Sequence, residues 1–126
     1  MDFEQSLVYE LSTINGLVGK VFPQMAEEGT LAPFVVYISS DGEKIMTLSG
    51  PTDMTELTCE VNVITESYEQ LKGHTKAVLD RLRSFFQRAI GENGPYIKSI
   101  SLTEPIEDID TATNYHKSTL DIRVRY

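Results

Sequence analysis

The chain has 126 residues, and its 19 acidic and 11 basic side chains give a formal net charge of −8. Hydrophobic residues make up 40% of it, which is enough for the core of one compact domain and argues against disorder. The acidic charge argues against a duplex-binding module, because affinity for nucleic acid comes mainly from basic groups that neutralise phosphates. The single cysteine, Cys59, excludes an internal disulfide and a multi-cysteine metal site.

No membrane or export segment is predicted. The chain begins with an acidic stretch where a secretory signal would be basic, and the longest apolar stretch, residues 31–38, contains Pro33. That stretch is far shorter than the ~20 residues of a spanning helix. We therefore expect a soluble, intracellular protein with one domain over residues 1–126, without internal repeats or linkers.

The first predicted element is a helix. Phe3, Leu7, Leu11 and Ile14 recur at spacings of four, four and three, which places them on one helical face. Asn15-Gly16 is expected to end this helix.

Short strands are predicted next. Residues 18–22 form an apolar segment closed by Pro23, residues 24–32 are typical of a loop, and residues 34–38 are β-branched and aromatic. A weaker strand over residues 44–48 is expected to form a hairpin with its predecessor across Asp41-Gly42.

Residues 50–53, Gly-Pro-Thr-Asp, are expected to interrupt the sheet before its clearest strand. Leu57, Cys59, Val61 and Val63 then alternate with polar residues, so that one face of this strand is apolar.

A long second helix is predicted from residue 68 to residue 90. Ser67 and Gln70 have the spacing of a capping box, in which each side chain satisfies a free amide of the first turn. Gly91 is expected to end the helix. Its apolar stripe is predicted to comprise Leu71, Thr75, Val78, Leu79, Leu82, Phe85, Phe86, Ala89 and Ile90.

The remaining chain is predicted to add two strands. A turn at residues 92–95 precedes a strand over residues 96–102, an acidic loop over residues 104–110 and a final strand in which Leu120, Ile122, Val124 and Tyr126 alternate with polar residues. The expected fold class is α+β, a mainly antiparallel sheet with two amphipathic helices packed on one face and a polar opposite face.

The acidic loop is the first place to look for a metal. A calcium loop that begins at Asp108 would place Ala112, Thr113 and Thr119 where a ligand, the turn glycine and the closing glutamate belong, so the motif fails at three positions. Two alternatives remain, a solvated loop between strands or an ion shared at a subunit contact.

No catalytic or cofactor motif stands out. His74 and His116 each lack a second histidine at ligand spacing, and Cys59 is expected to be a small buried hydrophobe. The sequence has no nucleophile elbow, phosphate-binding glycine loop or H-E-x-x-H pair. We expect no enzyme activity and no cofactor, although a hydrolase that uses the acidic loop and His116 stays a rival hypothesis.

Two groups of side chains are candidates for a binding surface. Met46, Leu48 and Met54 flank Gly50-Pro51, where they either fold back onto the core or form an apolar patch suited to a subunit contact. Arg123, Arg125 and Lys117 are expected on the outward face of the last strand. There they either meet an anionic surface or pair across strands with carboxylates such as Glu60.

The order of the motifs resembles that of a known family. The carrying segments are Val-Gly-Lys-Val-Phe-Pro at 18–23, Pro-Phe-Val-Val-Tyr at 33–37, Leu-Ser-Gly-Pro at 48–51, the alternating strand before Ser-Tyr-Glu-Gln at 67–70, and the closing residues 107–115 and 118–126. Together they resemble the tail completion or tail terminator proteins of long-tailed bacteriophages and prophages, over nearly the whole chain. Residues 24–30 have no matching pattern.

The resemblance implies an α+β subunit of a hexameric ring at the head-proximal end of the tail tube in the virion, assembled in the bacterial cytoplasm. Its implied partners are further copies of itself, the tail tube protein and the head-tail connector protein. No membrane and no specific nucleic-acid binding are expected, although DNA passes through such a ring. A neighbouring neck protein, a stopper or adaptor, is the main alternative, and a non-viral protein-binding module is another.

Residues 44–55 and 104–110 are expected to reach neighbouring subunits, because loops tolerate reshaping between states. The candidate interface residues are Lys44, Met46, Leu48, Gly50, Pro51, Met54, Glu104, Glu107, Asp108, Asp110, Lys117, Arg123 and Arg125.

Overall fold

The computed structural model describes the backbone of residues 1–126 and every side chain except that of Pro51. It contains two α-helices, α1 (Phe3–Ser12) and α2 (Tyr68–Arg83). The strands are β1 (Val21–Pro23), β2 (Phe34–Ser39), β3 (Glu43–Thr47), β4 (Gly50–Thr65), β5 (Arg88–Ala89), β6 (Tyr96–Ile97), β7 (Ser99–Leu102), β8 (Ile106–Ile109) and β9 (His116–Arg125).

Helix α1 begins with a capping box that the sequence reasoning missed. Asp2 Oδ1 accepts a bond from the Gln5 amide at 2.8 Å, and Gln5 Oε1 accepts one from the Asp2 amide at 3.1 Å. The predicted apolar face is confirmed, since Phe3, Leu7 and Leu11 are buried. The helix ends at Ser12, before the predicted Asn15-Gly16 signal.

Helix α2 begins at the predicted residue but ends earlier than predicted. Ser67 Oγ accepts a bond from the Gln70 amide at 3.3 Å, while the reciprocal bond of the predicted capping box is missing among the described contacts. The helix ends at Arg83 with Ser84 as its C-cap. The chain then turns, since Gln87 has left-handed backbone with φ of 55° and its N–H bonds to the Ile97 carbonyl.

The segment after α2 is therefore a short β5–turn–β6 unit. Phe85 and Ile90 are fully buried as predicted, but Phe86 is half exposed and Ala89 is exposed, so the predicted helical stripe is wrong there. The predicted strand over residues 96–102 splits at Lys98. Its first part, β6, pairs with β5, and its second part, β7, joins the main sheet.

The main sheet has seven strands in the order β1-β2-β4-β9-β7, with β3 also paired to β4 and β8 also paired to β9. Only the β1–β2 pair is parallel in the described sheet. The central pair β4–β9 runs from Glu56 opposite Arg125 to Thr65 opposite His116. The predicted α+β class with a mainly antiparallel sheet is confirmed.

The hairpin of β3 differs from the prediction. Strand β3 pairs with β4 across Leu48-Ser49, and β2 and β3 follow each other along the same edge of β4. Gly50, with φ of 112°, permits the turn, and Thr47 Oγ1 accepts from the Ser49 amide and donates to the Gly50 carbonyl. Residues 50–53 consequently begin β4 and do not interrupt the sheet.

Two further strand predictions needed correction. The acidic segment 104–110 is not a loop throughout, because Ile106–Ile109 forms β8 on the edge of β9. The first strand begins at Val21, three residues later than predicted, since a turn joins the Lys20 amide to the Leu17 carbonyl. It ends at Pro23 as predicted.

One core cluster lies between the helices and one face of the sheet. Leu57, Cys59, Val61 and Val63 point into it as predicted, and the last strand contributes Leu120, Ile122 and Val124. The alternate positions of β4 and β9 form the outer face, with Thr58, Glu60, Thr119, Asp121 and Arg123. On β4 and β9 that face is polar as expected, except at Ile64. The expectation is wrong at the edges of the sheet, where the outward residues Phe34, Val36 and Ile38 of β2 and Ile106 of β8 are apolar.

Candidate assembly surfaces

A β-hairpin projects beyond the sheet at one end of β4. Strand β9 ends beside Thr55, whose N–H and carbonyl both bond to Tyr126. Beyond that point β3 and the first part of β4 pair only with each other, from Lys44 opposite Thr55 to Thr47 opposite Gly50. We call residues 44–54 the arm. The arm holds six of the predicted interface residues, namely Lys44, Met46, Leu48, Gly50, Pro51 and Met54.

The apolar residues of the arm do not fold back onto the core. Leu48 at the tip is fully exposed, Met46 is 67% exposed and Met54 is half-buried. Internal bonds order the arm, because Thr52 Oγ1 donates to the Ile45 carbonyl at 2.8 Å and accepts from the Met54 amide at 3.2 Å. Of the two alternatives that the sequence left open, the exposed patch is the one observed.

The predicted acidic residues are distributed over two faces of the sheet. Glu107 forms an ion pair with Lys72 and so ties β8 to α2. Asp108 lies opposite Lys117 on the outer face, and Asp110 Oδ1 accepts from the Ala112 amide at 2.9 Å in the turn that follows. Glu104 lies in the exposed connection before β8. Within the described residues, no group of three His, Cys, Asp or Glu side chains is arranged to hold a metal ion.

The two outward arginines pair across strands, as one predicted alternative had it, but with a different carboxylate. Arg125 Nε lies 3.0 Å from Glu56 Oε2, and Arg123 Nε lies 3.6 Å from Glu56 Oε1. Glu60 instead lies opposite Asp121. Register decides the partner, because Glu56 is directly opposite Arg125 and Glu60 is four residues further along β4.

A groove lies at the other end of β4, between the loop that follows β1 and the β8–β9 hairpin. It has a volume of about 800 Å³. We call it the distal groove. Its apolar lining comprises Met25, Ala26, Phe34, Ile64, Ile109 and Tyr115, and its charged lining comprises Glu27, Asp108, Asp110 and Lys117.

Sequence reasoning missed the distal groove. Residues 24–32 carry no periodic pattern, so nothing in the sequence connects them with residues 80 positions later. The available signal was the phase of Phe34 and Ile64, two large apolar residues on the outward positions of strands whose inward positions are apolar as well.

The histidines and the cysteine do not assemble into a reactive site. His116 packs edge-on against Tyr68 of α2, with ring centroids 6.4 Å apart. Asp108 lies opposite Lys117, next to His116 along β9, and is therefore on the opposite face of the sheet from His116. Cys59 is buried as predicted, and burial raises the pKa of its thiol to about 12.

The comparisons with known proteins bear on the fold. No protein-family model and no curated protein sequence matches this chain. The fold is similar to that of a chain in the virion of a native gene transfer agent particle, with a TM-score of 0.68 and 14% identity over 96% of this chain and 92% of that one. A second solved structure, described without a function, has a TM-score of 0.53 and 15% identity over 98% of this chain and 91% of that one.

Among the described helices, none has the length and apolar character that crossing a lipid bilayer requires.

Proposed function

We propose that this protein is a structural component of a phage-like virion that forms a ring at the head-proximal end of the tail tube. The ring would end tube polymerisation and offer the surface for head joining. The observation that carries the proposal is the likeness of fold, over nearly the full length of both chains, to a chain of a gene transfer agent virion. The motif order described for the sequence supports the tail terminator role within that class.

The exposed surfaces suit such a role. A tube grows because each ring has two faces that fit head to tail, so a cap must match one tube face and refuse a further ring on its other face. The arm offers an exposed apolar tip for contact with a neighbouring subunit, with Leu48 fully exposed. The mostly polar outer positions of β4 and β9 and the exposed β8 strand offer surfaces of different chemistry on the same small subunit.

The acidic charge is consistent with this proposal. Copies with a net charge of −8 repel one another in dilute solution, which favours a monomer that assembles on a tube template. An acidic lumen would also let DNA pass without adhering. The proposed partners are further copies, the tail tube protein and the connector protein. The proposed role requires no catalysis and no cofactor.

A neighbouring neck ring is the second candidate, because the same fold likeness to a virion protein supports it equally. The two roles differ in their direct partner. A terminator binds the end of a purified tail tube in the absence of any head, whereas a stopper or adaptor binds the head-side connector. Incubation with each partner separately, followed by sedimentation, distinguishes them.

The arm gives the sharpest test. In the double variant Met46→Asp/Leu48→Asp, the exposed charges cost little folding stability, within about 0.5 kcal/mol, since both side chains are solvent-exposed. We expect this variant to lose capping, so that tubes assembled with it become overlong. Electron microscopy of tube lengths makes the measurement. The control is Val18→Asp, which adds one such charge at a residue that is 74% exposed outside the arm. Normal tube lengths with the arm variant would refute the assignment.

A further inference from the structure

We propose that the tip of the arm of one copy docks into the distal groove of a second copy. This inference rests on the proposed function, since it specifies the contact between ring subunits. Lys44 of the arm would meet the carboxylates of Asp108 and Asp110 at the rim of the groove, and Leu48 would enter its apolar floor.

The arm and the distal groove lie at opposite ends of β4. The arm contains Gly50, the first residue of the strand, and the groove contains Ile64, next to its last residue. A strand of that length spans about 50 Å at roughly 3.3 Å per residue, so an arm cannot reach the groove of its own chain. Each copy therefore presents one tip and one groove at opposite ends. That is the arrangement of a heterologous contact, which generates a ring when its rotation closes.

The tip of the arm and part of the lining of the distal groove are both apolar. Residues 45–52, which include the tip, carry no charged side chain, so their insertion desolvates no ion. The groove offers Met25, Phe34 and Ile64 as apolar contacts, and Met25 is itself 77% exposed. Because burial of an exposed Leu is favourable, Leu48→Asp should weaken the association constant by about ten- to a hundred-fold.

The charges at the base of the arm and at the distal groove are complementary. Lys44 is the arm's single cation, and its Nζ donates only to the Asp53 carbonyl, at 3.4 Å, among the described contacts. In the part of the chain that the structure describes, neither Asp108 nor Asp110 forms an ion pair within 4 Å. Lys117 also lines the groove, opposite Asp108, but the carboxylates of Glu27, Asp108 and Asp110 leave the lining net acidic. A net acidic groove suits the cation at the base of the arm when the tip is inserted.

Disulfide trapping between two single variants tests the contact. Leu48→Cys places a thiol on the tip, and Thr111→Cys places one on an exposed lining residue of the groove. Native Cys59 is buried and does not compete. The two full-length variants are mixed under mild oxidation, free and with purified tail tubes. We expect a disulfide-linked heterodimer, at least about ten-fold above the yield from Leu48→Cys mixed with Val18→Cys, since an exposed thiol without a docking contact meets a partner only at random.

Charge exchange provides the second variant pair. Lys44→Glu should weaken self-association by roughly two- to five-fold, the range of an exposed ion pair, and Asp108→Lys in the partner should restore it. Sedimentation equilibrium measures both. Equal weakening by Lys44→Glu whether or not the partner carries Asp108→Lys would overturn the assigned pairing.

Capping is scored in parallel with the wild-type protein, whose Leu48 is intact, which separates the two claims. Capped tubes without the 48–111 link, or with Leu48→Cys linked only to itself or to the tube protein, overturn the docking and leave the proposed function standing. A 48–111 link with uncapped tubes rejects the terminator role and keeps the docking. If neither the 48–111 link nor capping is observed, both claims are rejected.

Discussion

The carboxylate of Glu10 links helix α1 to the segment that follows α2. It is buried and accepts bonds from Arg88 Nη2 at 2.7 Å, Arg88 Nη1 at 3.2 Å and the Gly91 amide at 2.9 Å. The hydrogen bond from Arg88 lowers the pKa of Glu10, although burial acts in the opposite direction. The charged carboxylate therefore stabilises the fold and positions the β5–turn–β6 unit.

Glu10→Gln should destabilise the protein by about 2 kcal/mol at neutral pH, because it leaves the Arg88 charge without its partner. We place this below the cost of breaking a fully buried pair, since the Arg88 side chain is 37% exposed. Urea unfolding of both proteins provides the measurement. Glu28→Gln, at an exposed loop carboxylate, is the control and should change stability little.

The same pair predicts a pH dependence. The pKa of Glu10 is lowered in the folded state from an ordinary value of 4.5, so the contribution is fully present above that value and is lost as pH falls through the folded pKa. The stability difference between the wild type and Glu10→Gln should narrow below pH 4.5. A difference that stays constant from pH 7 to pH 3 would contradict this role.

Alanine substitutions at two glycines should change the unfolding free energy in opposite directions. A Cβ at Gly94 would overlap the Ile90 carbonyl oxygen and Ser6 Oγ, so Gly94→Ala should cost about 2–4 kcal/mol of unfolding free energy. Gly73 lies inside α2 with no such neighbour within 4 Å, so Gly73→Ala should stabilise by about 0.5–1 kcal/mol. Thermal unfolding measures the change in stability of both variants. A change in the same direction from both substitutions would be inconsistent with this packing.

At the scale of elements, the apolar periodicity predicted which residues of β4 and α1 are buried. It did not predict element ends that depend on local backbone geometry. The alternation of Leu57, Cys59, Val61 and Val63 and the spacing of Phe3, Leu7 and Leu11 were enough to place β4 and α1. The end of α2 was not predictable from spacing, because Phe85 in the turn after the helix and Ile90 directly after β5 are both buried and keep nearly helical intervals.

The candidate surfaces were predictable in part. The composition around Gly50-Pro51 located the arm, since apolar residues flank a turn there. The pairing of β3 with β4 was not predictable, because it depends on the tertiary arrangement of the strands and not on the local sequence. The distal groove joins residues from both halves of the chain, so no local pattern could have indicated it.

One buried polar pair joins α2 to β9 beside their apolar contacts. Thr75 Oγ1 and Ser118 Oγ lie 2.7 Å apart with both residues buried. Thr75→Val keeps the side-chain shape but leaves the Ser118 hydroxyl unsatisfied, which should cost about 1–2 kcal/mol. The double variant Thr75→Val/Ser118→Ala should be less destabilised than the sum of the single variants. A double-mutant cycle by urea unfolding measures this coupling, and strictly additive effects would contradict it.

At the scale of the whole molecule, charge opposes self-association. Two copies, each with a net charge of −8, repel over a Debye length of about 30 Å at about 10 mM salt and about 8 Å at about 150 mM. The proposed Lys44 contact is a single exposed pair, and its loss to screening is small in comparison. We therefore expect self-association to strengthen as salt rises over this range. Analytical ultracentrifugation makes the measurement, and association that weakens steadily with salt would show that attraction between charges dominates.

The claim on which the account depends is that this chain closes the growing end of a tube. Purified tail tube protein is allowed to polymerise with and without this protein, and the tube ends are imaged by cryo-electron microscopy. The account predicts a ring of this chain at one end only, together with a stop in elongation. Tubes that elongate past the protein, or bind none of it, would contradict the account.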